Sequence, residues 1–70
     1  MNRELKAEII RRYGAQYPFA AALGIREATV SAVIRGRYQL GNKDKKRWAE
    51  ALGADVSTLF GKEIANEARA

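Results

Sequence analysis

Apolar residues recur along the chain at intervals of three and four, and no stretch alternates with a period of two. That spacing stacks side chains on one face of successive helical turns and predicts helices rather than strands. Leu5, Ile9 and Tyr13 fall at i, i+4 and i+8 in a first helix over residues 3–13, with Arg and Glu on its other face. A second helix over 17–23 carries Phe19, Ala20 and Leu23, with Pro18 in the first turn, where its missing N–H costs nothing. Arg26 to Arg35 places Val30, Val33 and Ile34 at i, i+3 and i+4. Residues 43–52 align Trp48, Ala49 and Leu52, and a last short helix bears Val56, Leu59 and Phe60.

Six glycines, at 14, 24, 36, 41, 53 and 61, divide the chain into these helix-sized pieces. Glycine is favoured just past a helix end because it accepts left-handed backbone, so Gly14, Gly24, Gly36, Gly53 and Gly61 are each expected to close a helix. Tyr38 to Asn42 reads as a loop, with Asn42 as the N-cap of the fourth helix and Asp55 as the cap of the fifth. Connections of 2–7 residues leave no boundary for a second domain and show no repeat. The expectation is one all-α five-helix bundle over residues 1–61, with a polar tail at 62–70 that either frays or extends the last helix.

Composition narrows the function. A chain of 70 residues buries only a little over ~60% of its unfolded surface, which allows one modest core and no deep substrate cavity. The absence of cysteine excludes disulfides, thiolate metal sites and cysteine nucleophiles, and the absence of histidine excludes imidazole acid–base chemistry. Glu4/Glu8 and Glu63/Glu67 are ordinary helix-surface spacings rather than catalytic dyads. An enzyme is therefore not expected, nor a metal, a cofactor or a small-molecule ligand. No apolar run approaches the ~20 residues of a membrane span, and Met1-Asn2-Arg3-Glu4 does not read as a signal peptide, so the cytoplasm is the expected location.

Thirteen Lys+Arg against eight Asp+Glu give a formal charge of +5, and its position matters more than its size. Residues 26–47 hold Arg26, Arg35, Arg37, Lys43, Lys45, Lys46 and Arg47 against Glu27 and Asp44, which is the whole +5 in under a third of the chain. The remaining residues carry six groups of each sign. A patch of one sign points to an acidic partner, with nucleic acid first among the candidates. Arg11 and Arg12 lie outside the patch and read as a solvated helix face. Trp48 and Phe60 lie on apolar faces and read as core, while Tyr17 and Tyr38 flank the basic region with either packing or phosphate contact open to them.

The second and third helices meet at Leu23-Gly24-Ile25, a turn too short for a parallel arrangement. Ala20 is small where the two must approach closely, and Ile25 and Val30 fill the angle between them. Residues 16–35 thus follow the helix-turn-helix pattern, in which one helix braces on the core and the next presents a polar face. A single helix fits the ~12 Å major groove of B-DNA, where residues near its N-terminus reach base edges.

At this point the sequence resembles the Cro/repressor-like, Xre-type helix-turn-helix family of phage and bacterial transcription regulators. The matching residues are Gln16, Phe19-Ala20, Leu23-Gly24-Ile25, Thr29-Val30-Ser31 and Gly36-Arg37, followed by Ala49, Ala51-Leu52-Gly53 and Leu59-Phe60. Together they span about residues 3–61. The resemblance implies a bundle of the lambda-repressor-like type and a sequence-specific regulator of transcription, most often a repressor. It implies a recognition helix at about 27–35, and a homodimer on double-stranded DNA with half-sites ~34 Å apart. It places Glu27, Ala28 and Ala32 toward the bases, and Gln16, Thr29, Arg35, Arg37 and Lys43 near phosphates. Lys46 joins the phosphate-facing group from the same basic stretch. In relatives the last helices often form the dimer surface, which makes Phe60, Ile64 and the tail candidates.

Several positions depart from the family. Arg26 stands where Ser or Thr usually caps the recognition helix, and alanines occupy positions where Gln or Arg is common. Base reading is then expected to lean on Arg26, Ser31 and DNA shape as well, with Ala28 or Ala32 able to touch a thymine methyl. Glu27 has two readings: acceptor from cytosine N4, or simply a carboxylate at the positive end of its helix. Ile9 and Ile34 replace a buried Arg–Glu pair of many relatives, and Lys45 stands at a usually apolar position. Two other functions fit the same pattern: a protein-interaction module or antitoxin, and a non-specific architectural DNA binder.

Overall fold

Asn2 opens the first helix, its side-chain oxygen accepting the Leu5 N–H at 3.1 Å, and the left-handed Gly14 closes it. The structure, a computed structural model, describes residues 1–61. Over that span the chain is all-helical: α1 (Arg3–Tyr13), α2 (Gln16–Leu23), α3 (Glu27–Arg35), α4 (Asn42–Leu52) and α5, helical over residues 56–61. No strand occurs among the described residues, and no helix there is long and apolar enough to cross a membrane. The expected tail at 62–70, Ile64 with it, lies outside the described residues.

Three expected boundaries are corrected. The second helix begins at Gln16 rather than 17, because the extended residue ahead of it is Ala15. Asn42 is not the cap of α4 but its first residue. The extended break falls one position earlier, at Gly41, whose carbonyl oxygen accepts from Lys45 N at 3.0 Å. Gly61 does not close α5, since its backbone is still helical. Asp55 does precede α5, and its carbonyl oxygen accepts from Thr58 N and Leu59 N.

The predicted apolar faces converge on one core. Leu5 and Ile9 of α1, Phe19, Ala20 and Leu23 of α2, and Val30, Val33 and Ile34 of α3 are buried, as are Trp48, Ala49 and Leu52 of α4 and Leu59 and Phe60 of α5. Leu40 joins them from the loop before α4, where no helical period marks it as apolar-facing. Phe19 is the hub. Its ring lies 5.2 Å from Tyr13 and 5.2 Å from Trp48, edge to face in both cases, so one residue of α2 anchors to α1 and α4 together. Such ring pairs add ~0.5–1.5 kcal/mol each beyond the area they bury. The Tyr13 hydroxyl donates to the Ala51 carbonyl oxygen at 3.0 Å, which satisfies its polar end at the core's edge.

Among the described residues Lys45 is the one buried cation: only 2% exposed, with its ammonium 5.8 Å from the centre of the Phe60 ring. It therefore leaves the basic surface stretch and serves the packing of α4 on α5. A lysine stem is four methylenes long and packs as a hydrophobe does, while the ring face attracts the charge at its tip. A core position is thus filled here by a side chain that is apolar over most of its length.

Candidate nucleic-acid interface

The α2–α3 turn is built by backbone chemistry. Gly24 takes the left-handed conformation at φ 70°, and Ile25 N donates to the Ala20 carbonyl at 3.0 Å, which turns the chain sharply off the helix end. Arg26 is extended, and α3 starts immediately after it. Ala20 is 1% exposed and Val30 fully buried, and α2 packs more extensively on α3 than on any other helix. From α4, Arg47 donates through Nη2 to the Leu23 carbonyl at 3.0 Å. A guanidinium at that place satisfies one of the acceptors left open by the helix end and complements its negative dipole.

With Val30, Val33 and Ile34 turned into the core, the opposite side of α3 is outward. Arg26, Glu27 and Ala28 are exposed at its beginning, and Ser31 and Ala32 are half-buried one turn on. Arg26 is the N-cap and makes no capping bond through its side chain, leaving the guanidinium out in solvent. Arg35 and Arg37 are exposed on either side of the left-handed Gly36 at the exit from α3. Lys43 and Lys46 are exposed on α4, and Tyr17 and Tyr38 are the exposed aromatics of the region.

Ion pairing separates these cations from Arg11 and Arg12 of α1, though not from Arg3 and Lys6, which are exposed there without an ion pair among the described residues. Arg11 and Arg12 both pair with Glu8 on their own helix, consistent with a solvated face. Arg26, Arg35, Arg37, Lys43 and Lys46 have no carboxylate partner among the described residues. Of the seven cations between 26 and 47, Lys45 is committed to the core and Arg47 to the turn, which leaves these five to solvent.

Gln16 and Ser31 are brought together although fifteen positions apart: the Ser31 hydroxyl donates to Gln16 Oε1 at 2.6 Å, across the α2–α3 contact. Thr29 is half-buried nearby in sequence. The start of α2, where Gln16 sits, has neither an acidic residue in its first turn nor a side-chain cap, whereas α3 and α4 carry Glu27 and Asp44 there. Its positive end is therefore the least compensated of the four helices α1–α4. Two contacts between helices were missed by sequence reasoning. Arg47 reads as one more surface cation, and nothing in its spacing announces a bond to Leu23. Ser31 has the helical period of an outward residue, but its partner lies on another helix.

The chain belongs to a protein family of unknown function, DUF739, whose model matches residues 2–59, from the cap of α1 into α5. No curated protein and no solved structure matches the chain.

Proposed function

We propose that this member of the family is a cytoplasmic, sequence-specific double-stranded DNA-binding protein that represses transcription as a homodimer. The observation that carries the reading is the outward side of α3, flanked by exposed cations that have no carboxylate partner among the described residues. The short α2–α3 turn and the Xre-type resemblance of residues 3–61 support the same conclusion.

In this reading α2 lies across the phosphate backbone with its uncompensated N-terminus toward it, and α3 enters the major groove. Arg35, Arg37, Lys43 and Lys46 neutralise phosphates and release counterions, with Gln16 and Thr29 as neutral donors. Arg26, Glu27, Ala28, Ser31 and Ala32 stand in the place from which bases are read, Ser31 subject to the inference below. One module reads few base pairs, so two copies on half-sites ~34 Å apart supply the specificity. Phe60, the described candidate for the dimer surface, is buried in the core, so a second copy would have to meet α5 elsewhere.

A second reading, a non-specific architectural binder, has one observation in its favour. Ala28 and Ala32 offer no hydrogen bond, and the Ser31 hydroxyl is used within the protein. Selection from a random duplex pool separates the two. A regulator enriches a pseudo-palindromic motif, whereas an architectural binder retains DNA without enriching any. Failure to retain duplex even at low salt contradicts both.

A further inference from the structure

We infer that Ser31 is a positioning residue that acts through Gln16, holding the Gln16 amide so that its N–H groups face a backbone phosphate of bound DNA. The inference rests on the DNA-binding reading and removes Ser31 from the residues that read bases. A serine hydroxyl has one proton to give, and here it goes to Gln16 Oε1 at 2.6 Å. Both residues are half-buried, so the bond is partly shielded from competing water. Gln16 is the first residue of α2 and Ser31 lies in the second turn of α3, so the bond also fixes one helix against the other.

With its oxygen engaged, the amide has two donors remaining on Nε2. That nitrogen has no partner among the described residues, and it is not among buried unsatisfied atoms, so it is open to solvent. It sits at the helix end whose N–H groups lack a side-chain cap and whose first turn lacks an acid. A phosphate oxygen there meets donors only, whereas the flipped amide would present an acceptor to an anion. A free glutamine samples both orientations about its rotatable bonds; the Ser31 hydroxyl could accept from the flipped amide, but that orientation turns Oε1 toward the anion, so serine and phosphate together hold the one seen here. Because the contact is neutral, it adds affinity without displacing a counterion.

The test uses the full chain and the duplex enriched by the wild-type protein. Affinity, salt slope and thermal unfolding are measured for Ser31→Ala, Ser31→Thr, Gln16→Ala, Gln16→Glu and the double alanine variant. Ser31→Ala and Gln16→Ala are each expected to weaken binding about fivefold per protomer, about 25-fold for the dimer, the equivalent of one net hydrogen bond in each copy. The double variant should be no weaker than Gln16→Ala alone, since both remove one contact. Ser31→Thr, which keeps the hydroxyl, restores affinity. Gln16→Glu, which keeps an acceptor for Ser31 but sets a carboxylate against phosphate, weakens binding more than Gln16→Ala. Salt slopes of the two alanine variants stay at the wild-type value, and reselection with Ser31→Ala returns the wild-type motif. A new motif with Ser31→Ala, additive losses in the double variant, or wild-type affinity for Gln16→Glu would each overturn the inference while leaving DNA binding standing. A wild-type chain that binds no duplex overturns the DNA-binding reading, and this inference with it.

Discussion

Asn2 Nδ2 donates to the Leu59 carbonyl oxygen at 2.6 Å, joining residues 57 positions apart at the two ends of the described fold. The same residue caps α1 through its side-chain oxygen and donates its backbone N–H to the Ile34 carbonyl at 2.7 Å. One asparagine therefore clasps the start of α1, the end of α3 and α5. Asn2→Ala should cost about 2–3 kcal/mol, the sum of a lost cap and a lost partly buried hydrogen bond. Asn2→Asp keeps the capping oxygen but loses the donor to Leu59, and should be intermediate. Urea unfolding at neutral pH checks the order; an Asn2→Ala variant as stable as wild type would contradict it.

The α2–α3 turn depends on backbone rather than on space. A Cβ at Gly24 would meet no atom within 4 Å, yet φ is +70°. Gly24→Ala should therefore lose about 1–2 kcal/mol from conformation alone. At Gly53, φ is +62° and a Cβ would come 3.0 Å from the Arg12 guanidinium. Because that neighbour is the end of a flexible chain, Gly53→Ala should cost only slightly more than Gly24→Ala. Thermal unfolding of the two variants makes the comparison.

Neighbouring cations on α4 should behave differently. Arg47 holds the Leu23 carbonyl, so Arg47→Met should lower stability by about 1 kcal/mol and leave the salt dependence of DNA binding nearly unchanged. Lys46 is exposed and without a carboxylate partner among the described residues, so Lys46→Met should leave stability within about 0.5 kcal/mol. Its effect should instead be a flatter salt slope, by about one per protomer. Equal effects of the two on the slope would contradict the assignment.

Helix positions and the apolar core were legible in the sequence because they follow from period and punctuation. Leu5/Ile9, Phe19/Ala20/Leu23, Val30/Val33/Ile34 and Trp48/Ala49/Leu52 are all buried where a 3.6-residue repeat puts them. Local signals failed where two options were nearly equal. Gly41 and Asn42 are both acceptable N-caps, and the residue type alone does not decide that Gly41 serves. Lys45 counts toward the basic stretch by residue type, because the letter records the charge and not the length of stem available to pack on Phe60. At the interface, the composition of the basic stretch was legible but the division of labour within it was not. Arg47–Leu23, Ser31–Gln16 and Asn2–Leu59 are contacts between distant positions, and a single sequence carries no term that couples them.

Whether the exposed cations of residues 26–47 meet DNA phosphates, as proposed, is tested most directly by the salt dependence of binding to the enriched duplex. If each protomer neutralises about four phosphates, log K against log salt should fall with a slope of about −7 for the dimer. Arg35→Ala, removing one contact per protomer, should bring the slope to about −5 and weaken all sequences alike. A wild-type chain that fails to bind duplex at low salt, or an Arg35→Ala variant with an unchanged slope, would contradict the claim.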